Sequence, residues 1–225
     1  MDGSALFCGF LQAPPVPSAV EPAASASAAG PTTTKFTVWS WNVQRGFSLD
    51  GWLSLDRVAE MAVDGGVDLL AMQESEASGP LTGGRDVPDY VANAMGRGYE
   101  VVYGAGGDPL MANFDGTAIV SRLPILSSAS YRLWRYGVFP TFTLTECTVS
   151  LGGEAQVMLI NVHPTLVPVD MREDAVHFLV ERVQAALDAR GGDTTNTSTA
   201  AVVITGDFNI DADDPAFDGT AASTS

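Results

Sequence analysis

From Phe36 onward the apolar residues recur in two rhythms, a period near two and a period near 3.6, and their alternation divides the chain into elements. FTVWSWN (36–42) reads as a strand, LDRVAEMAVDGG (55–66) has helical spacing and stops on glycines, and VDLLAMQ (67–73) is a short apolar strand. DVPDYVANAM (86–95) is a second helix that opens near a proline. YEVVYG (99–104) and DGTAIVSRLPI (115–125) follow as strands, the second closed by Arg122 to Pro124. SASYRLW (128–134) continues the strand pattern, and PTFTLTECTVSL (140–151) alternates with a period that predicts a half-exposed antiparallel strand.

After the turn at Gly152-Gly153, AQVMLINVHP (155–164) predicts a buried strand. MREDAVHFLVERVQAALDAR (171–190) is the clearest helix, with Val176, Leu179, Val180, Val183 and Leu187 on one apolar face. GGDTTNTSTA (191–200) is a polar loop, and AVVITGDFN (201–209) is the last strand, its VVIT run expected to be buried. Strands outnumber helices and many run in antiparallel-looking succession. An α/β layered sandwich fits this order better than a purely parallel doubly wound sheet.

Residues 1–34, rich in Pro, Ala and Ser without apolar periodicity, read as a disordered leader, 35–219 as one folded domain and 220–225 as a tail. No apolar run reaches the ~18 residues that span a bilayer. The short segment ALFCGFL (5–11) lacks the basic flank of a secretory signal, and Cys8 and Cys147 are too few for a disulfide framework or a zinc cluster. Two free thiols in a reducing compartment are expected. The formal charge of −16 changes the picture more, because eleven Lys and Arg, only Lys35 being lysine, form no cluster that could track phosphates. Extended nucleic acid is disfavoured as a partner. A compact anionic ligand held through a divalent cation is compatible with this charge. A Walker-type phosphate loop is excluded, since the single lysine precedes the first strand.

Candidate chemistry sits at the strand ends. Asn42 ends FTVWSW, Glu74 follows DLLAMQ, His163 follows MLINV, and Asp207 with Asn209 follows VVITG. Each has a bland reading: Asn42 as a turn cap, Glu74 as a solvated loop acid, His163 as a satisfied strand-end histidine. Four such strand ends together point instead to one crevice, since a sheet holds its emerging side chains rigidly. His177, within the long helix, reads as a surface residue. Asp207, Asn209, Asp211, Asp213 and Asp218 also mimic a calcium loop, but Ala212 stands where the sharp turn requires glycine, and an EF-hand needs a helix where VVIT predicts a strand.

With WNVQRG (41–46), LLAMQES (69–75), GTAIVSRLPI (116–125), INVHP (160–164) and TGDFN (205–209) in this order, the sequence resembles the endonuclease/exonuclease/phosphatase family, the DNase I-like fold, from about Phe36 to Asp218. The resemblance implies a four-layered α/β sandwich and a phosphoesterase acting with Mg²⁺ or Mn²⁺. It implies that Glu74 ligates the metal with Asn42 in support, that Asp207 orients or deprotonates the attacking water, that Asn209 binds a phosphate oxygen, and that His163 stabilises or protonates the leaving side. The family's closing Ser-Asp-His motif and closing strands have no counterpart after Asp218, so a fragment is expected. QESEASGPLTGGRDVPDYVANAMGRGYEVVYGAG and GTAIVSRLPILSSASYRL are most similar to the soluble domain of membrane proteins that remodel GPI-anchor lipid, which implies a small or lipid-linked phosphate ester as substrate. A nuclease of the same fold and a non-catalytic binding module are the alternatives.

Overall fold

Side chains alternate between the two faces of a strand, and here the inner strands of each sheet are covered on both faces. The computed structural model describes residues 35–106, 115–135, 139–153, 155–164, 169–191 and 201–209. The leader, the tail, Cys8, Asp211, Asp213 and Asp218 lie outside the described residues. The first sheet holds β1 (Val38–Asn42), β2 (Leu69–Gln73), β3 (Glu100–Ala105) and β4 (Gly116–Ser121) in the order β1-β2-β4-β3. β5 (Ile125–Arg135), β6 (Phe139–Gly152), β7 (Ala155–Pro164) and β8 (Ala201–Gly206) form the second sheet in sequence order. β1 with β2, and β7 with β8, are parallel; the remaining pairs are antiparallel.

Each parallel pair needs a crossover, and each crossover is a helix. α1 (Leu55–Asp64) joins β1 to β2, and α3 (Val169–Gly191) lies between β7 and β8. α1 buries Leu55, Val58, Ala59 and Ala62 at helical spacing. α2 (Val87–Met95) starts at Asp86, whose carboxylate accepts from Asp89 N at 3.2 Å, with Pro88 in the first turn. Both helices cover Leu70, Met72, Ala118 and Val120 on one face of the first sheet, while Ala175 and Leu179 of α3 cover Phe142, Leu144, Ile160 and Val162 of the second. Between the sheets, Leu69, Ala71 and Ile119 meet Cys147, Val149, Val157 and Leu159. The result is the expected four-layered α/β sandwich.

Four expectations are corrected by this packing. GTAIVSRLPI is not one strand: Ser121 Oγ donates to Leu123 O, Arg122 N to Asp68 O, and the chain crosses at Pro124 into the second sheet. β6 is not half-exposed, because its alternating threonines, Thr143 and Thr145, are buried between the sheets. The buried face of α3 runs through Ala175, Phe178, Leu179, Arg182, Val183 and Ala186, leaving Val176, Val180 and Leu187 exposed. Arg182 occupies the inward row because its Nη2 donates to buried Glu146 Oε1 at 2.6 Å and its guanidinium lies over the Tyr131 ring. Hydrophobicity alone does not count such a residue. VVIT, finally, is a half-exposed outermost strand among the described residues, with Ile204 turned to solvent.

Candidate active site

The rows of side chains between the sheets change character along the strands. Val38, Ala71, Ile119, Cys147, Leu159 and Val203 are apolar. One step further along the same rows stand Ser40, Gln73, Thr117, Thr145, Asn161 and Thr205. Asn161 Nδ2 donates to Met72 O and to Ala118 O, both at 2.9 Å, while its Oδ1 accepts from Gln73 Nε2 at 2.6 Å. Thr117 Oγ1 and Thr145 Oγ1 lie 2.7 Å apart. Gln73, Thr117, Thr145 and Asn161 form the buried part of this polar layer, which ties the sheets together through these hydrogen bonds. Gly104 lets β3 approach it, since a Cβ there would overlap Thr145 Oγ1.

Two residues beyond that layer the same period delivers Asn42, His163 and Asp207 to one end of the sandwich, while Glu74 follows Gln73 directly and Asn209 lies two residues past Asp207. Asn42 Nδ2 donates to Glu74 Oε1 at 3.0 Å and to Asp207 Oδ2 at 2.9 Å, so one amide holds two carboxylates from opposite sheets. Its Oδ1 accepts from Gln44 N at 3.0 Å. His163 Nε2 lies 3.9 Å from Glu74 Oε1 and 3.3 Å from Asn209 Nδ2. Asn209 Nδ2 also donates to Pro164 O at 2.7 Å, and Asn209 N to Asp207 Oδ1 at 3.0 Å. All five candidates, Asn42, Glu74, His163, Asp207 and Asn209, are brought together. His177 is exposed on α3, away from them.

The backbone here is strained. Gln44, Arg45, Glu74 and Asn209 all have positive φ, between 48° and 58°, a region that costs non-glycine residues roughly 1–3 kcal/mol each and is concentrated at functional sites. Arg45 N donates to Glu74 O at 2.8 Å, which fixes the Glu74 kink. Gly206, at φ 150°, turns the chain out of β8 toward Asp207 where a Cβ would overlap Val162 O.

The electrostatics divide the carboxylates. Burial pushes the Asp207 carboxyl up, but the Asn42 amide, the Asn209 N–H and the His163 ring together bring it below its ordinary value. Asp115, just before β4, is raised: burial dominates, the paired Arg45 guanidinium only partly offsets it, and Glu74 and Glu76 push the same way as burial. Arg45, Gln73, Asp115 and Asn161 were not singled out from the sequence. For Gln73 and Asn161 a signal existed, polar residues on the inward period of apolar runs; the Arg45–Asp115 pair joins positions 70 apart and leaves no local pattern.

Glu74 and Asp207 form an anionic, all-oxygen pair around one amide. Among the described residues no group of three or more His, Cys, Asp or Glu is disposed to enclose a metal. Mg²⁺ asks for less, being held by one or two carboxylates with waters and substrate phosphate completing its shell, so this donor set fits it.

The family model of the endonuclease/exonuclease/phosphatase family matches residues 39–224. The chain belongs to this family. Its members are phosphoester hydrolases and nucleases. No curated protein matches the chain. Among solved structures it is similar to a mannosyl-6-phosphatase of Bacteroides thetaiotaomicron VPI-5482 at 19% identity and TM-score 0.58, covering 79% of this chain and 66% of that one. TDP2 from Caenorhabditis elegans is similar at 20% identity and TM-score 0.57, with 78% and 48% covered. An endonuclease/exonuclease/phosphatase from Beutenbergia cavernae DSM 12333 is similar at 19% identity and TM-score 0.56, with 64% and 43% covered. These likenesses establish the DNase I-like fold. The chain spans between 43% and 66% of the length of these three proteins.

Proposed function

We propose that this protein hydrolyses a small or lipid-linked phosphate ester with the help of a divalent metal ion, Mg²⁺ or Mn²⁺. The observation that carries the reading is the convergence of Glu74 and Asp207 on the Asn42 amide, with His163 and Asn209 alongside. Glu74, with Asn42 beside it, would hold the metal ion, which when bound would supply positive charge to polarise a phosphoryl oxygen and offset charge developing in the transition state.

The protein's own groups divide the remaining work. Asp207, its pKa held down, stays ionised at neutral pH; such a carboxylate orients an attacking water better than it deprotonates one, because an effective base has a pKa near the working pH. Asn209, whose amide donates to Pro164 O and faces His163, would give a hydrogen bond to a phosphate oxygen by exchanging one of those partners for the substrate. His163 has two alternative neighbours at Nε2: the Asn209 amide suits the neutral ring and Glu74 the protonated one. That arrangement suits a group that donates a proton to the leaving oxygen and then rests neutral. Asn42 acts here as a clamp, its carbonyl oxygen being taken by Gln44 N.

The substrate class rests on charge and resemblance. A formal charge of −16 without a basic cluster disfavours a long polyanion, and the similarity to the lipid-remodelling subgroup favours a phosphate on a lipid head group. The test is turnover of bis(p-nitrophenyl) phosphate with Mg²⁺ and with chelator. Metal-dependent hydrolysis should fall by about 10²–10⁴-fold in Glu74→Ala and in Asp207→Asn. Undiminished turnover in both variants would overturn the assignment, and a steep loss of activity with salt would favour the nuclease reading instead.

A further inference from the structure

The loop that leaves the Asn42 strand carries two large apolar side chains straight into solvent. After the tight turn at Gln44–Gly46 the chain forms a small hairpin, closed by the Phe47–Leu53 bridge and by Ser48 N donating to Trp52 O at 2.9 Å. Ser48 Oγ lies within reach of the Asp50 carboxylate and of Trp52 O, which share its single hydrogen. At the base, Val43 and Leu55 are buried and Leu53 packs on the same core. The tip is the reverse: Leu49 is 98% exposed and Trp52 74%. A second loop leaves the same end of the sheet directly after Glu74, is closed by the Ala77–Asp86 bridge, and exposes Leu81.

We propose that this hairpin is a lipid-docking device, with Leu49 and Trp52 entering the head-group region of a zwitterionic bilayer beside the active site. Three observations select a bilayer over other occupants. The tip offers one leucine and one tryptophan, and an aromatic side chain covers only about 150–250 Å², far below the ~800 Å² per partner of a stable protein interface; a bilayer accepts such a small wedge. Tryptophan, an apolar body with a polar N–H, is the side chain that settles at membrane–water boundaries. The formal charge of −16 repels anionic surfaces and leaves neutral head groups as the compatible ones. The hairpin is also continuous with the site: only Val43, Gln44, Arg45 and Gly46 separate Asn42 from Phe47. Its use in presenting a lipid-linked ester rests on the phosphoesterase reading, whereas membrane docking itself does not.

The test is co-sedimentation of the full chain with phosphatidylcholine vesicles. Wild type should partition onto them independently of salt, with weaker binding as anionic lipid is added. Leu49→Ser and Trp52→Ser should each weaken partitioning by roughly tenfold, and the double variant should abolish it, while all three hydrolyse a soluble diester as wild type does. Val180→Ser, which removes an exposed apolar side chain from α3, should bind like wild type. Equal binding by the double variant, no binding by wild type, or release by salt would each overturn the proposal. So would concentration-dependent self-association lost in the double variant without any vesicle binding, which would assign the tip to a second copy. Glu74→Gln should bind vesicles fully; a wild-type protein that docks but hydrolyses nothing retains this surface and overturns the phosphoesterase reading, and one that hydrolyses but does not dock does the reverse.

Discussion

β2 lies inside its sheet, buried along its whole length between β1 and β4, whereas β8 stands outermost in its sheet among the described residues and keeps a half-exposed face. Both end in a carboxylate of the candidate site, Glu74 after the first and Asp207 after the second. The supports differ accordingly. Glu74 is positioned by its own strand's neighbours, through Arg45 N on its carbonyl and Ser75 N on Gly116 O. Asp207 is positioned from several directions: by the Asn42 amide from the other sheet, by the Asn209 N–H on its own carboxylate, and by β7 behind its strand. A central strand holds its residue through ties within its own sheet, the Asn42 amide on Glu74 included, but an outer strand needs ties from across the sandwich, so the geometry of Asp207 depends on the alignment of the two sheets.

That dependence can be broken most severely at Asn161, which spans the sheets beneath the site. Asn161→Leu keeps the volume but takes the Asn161 amide from Met72 O and Ala118 O in a buried layer, and leaves Gln73 Nε2 with only its longer bonds to Ser40 Oγ and Ala71 O. Unsatisfied buried groups cost about 1–3 kcal/mol each, so the expected loss is about 3 kcal/mol. For a domain of this size that is roughly 6–12 °C in Tm, readable by calorimetry. If the sheets were held by apolar packing alone, the variant would melt like wild type. Asn42→Ala tests the tie at the site itself: it removes the amide shared by Glu74 and Asp207, and hydrolysis should fall roughly 10–100-fold, as for other residues that orient ligating groups. The change in melting should be smaller than for Asn161→Leu, since the Asn42 amide is only partly buried.

The same contrast explains what could be read from the sequence. β2 and β7 are continuous apolar runs, and both were legible nearly to the residue, as were the strand-end positions of Asn42, Glu74, His163 and Asp207. Misreadings arose where polar residues face inward. Thr143 and Thr145 made β6 look half-exposed, and Arg182 on the inward row of α3 shifted the apparent apolar stripe toward Val176 and Val180. Outer strand β8 looked buried because its composition matches that of β7, and composition does not reveal which strand has a neighbour on both sides. The Gln73–Asn161 bond forms only when the sheets stack, so the inward polar positions were visible but their pairing was not, and the Arg45–Asp115 pair within the first sheet joins positions too far apart for any local pattern to announce it.

The subtlest way to sharpen the comparison is by pH, because the two sheets hold carboxylates displaced in opposite directions. Asp207, lowered in the folded state, contributes stability that is present above its unfolded pKa and lost as pH falls through the lower folded value. Asp115, raised mainly by burial, does the opposite: the folded protein binds its proton more tightly, so stability declines as pH rises from the ordinary carboxylate value through the folded one. Urea midpoints measured in chelator across that acidic window should therefore separate two variants. Relative to wild type, Asp207→Asn should become progressively less stable as pH increases, because wild type gains what the amide cannot. Asp115→Asn should move the other way, gaining on wild type as pH increases, although it also removes the partner of Arg45 and starts from a lower value. Parallel curves for the two variants would mean that the sheets do not differ in how they hold charge, and that the Asn42 amide reaching across from the first sheet does not hold the Asp207 carboxyl below its ordinary value.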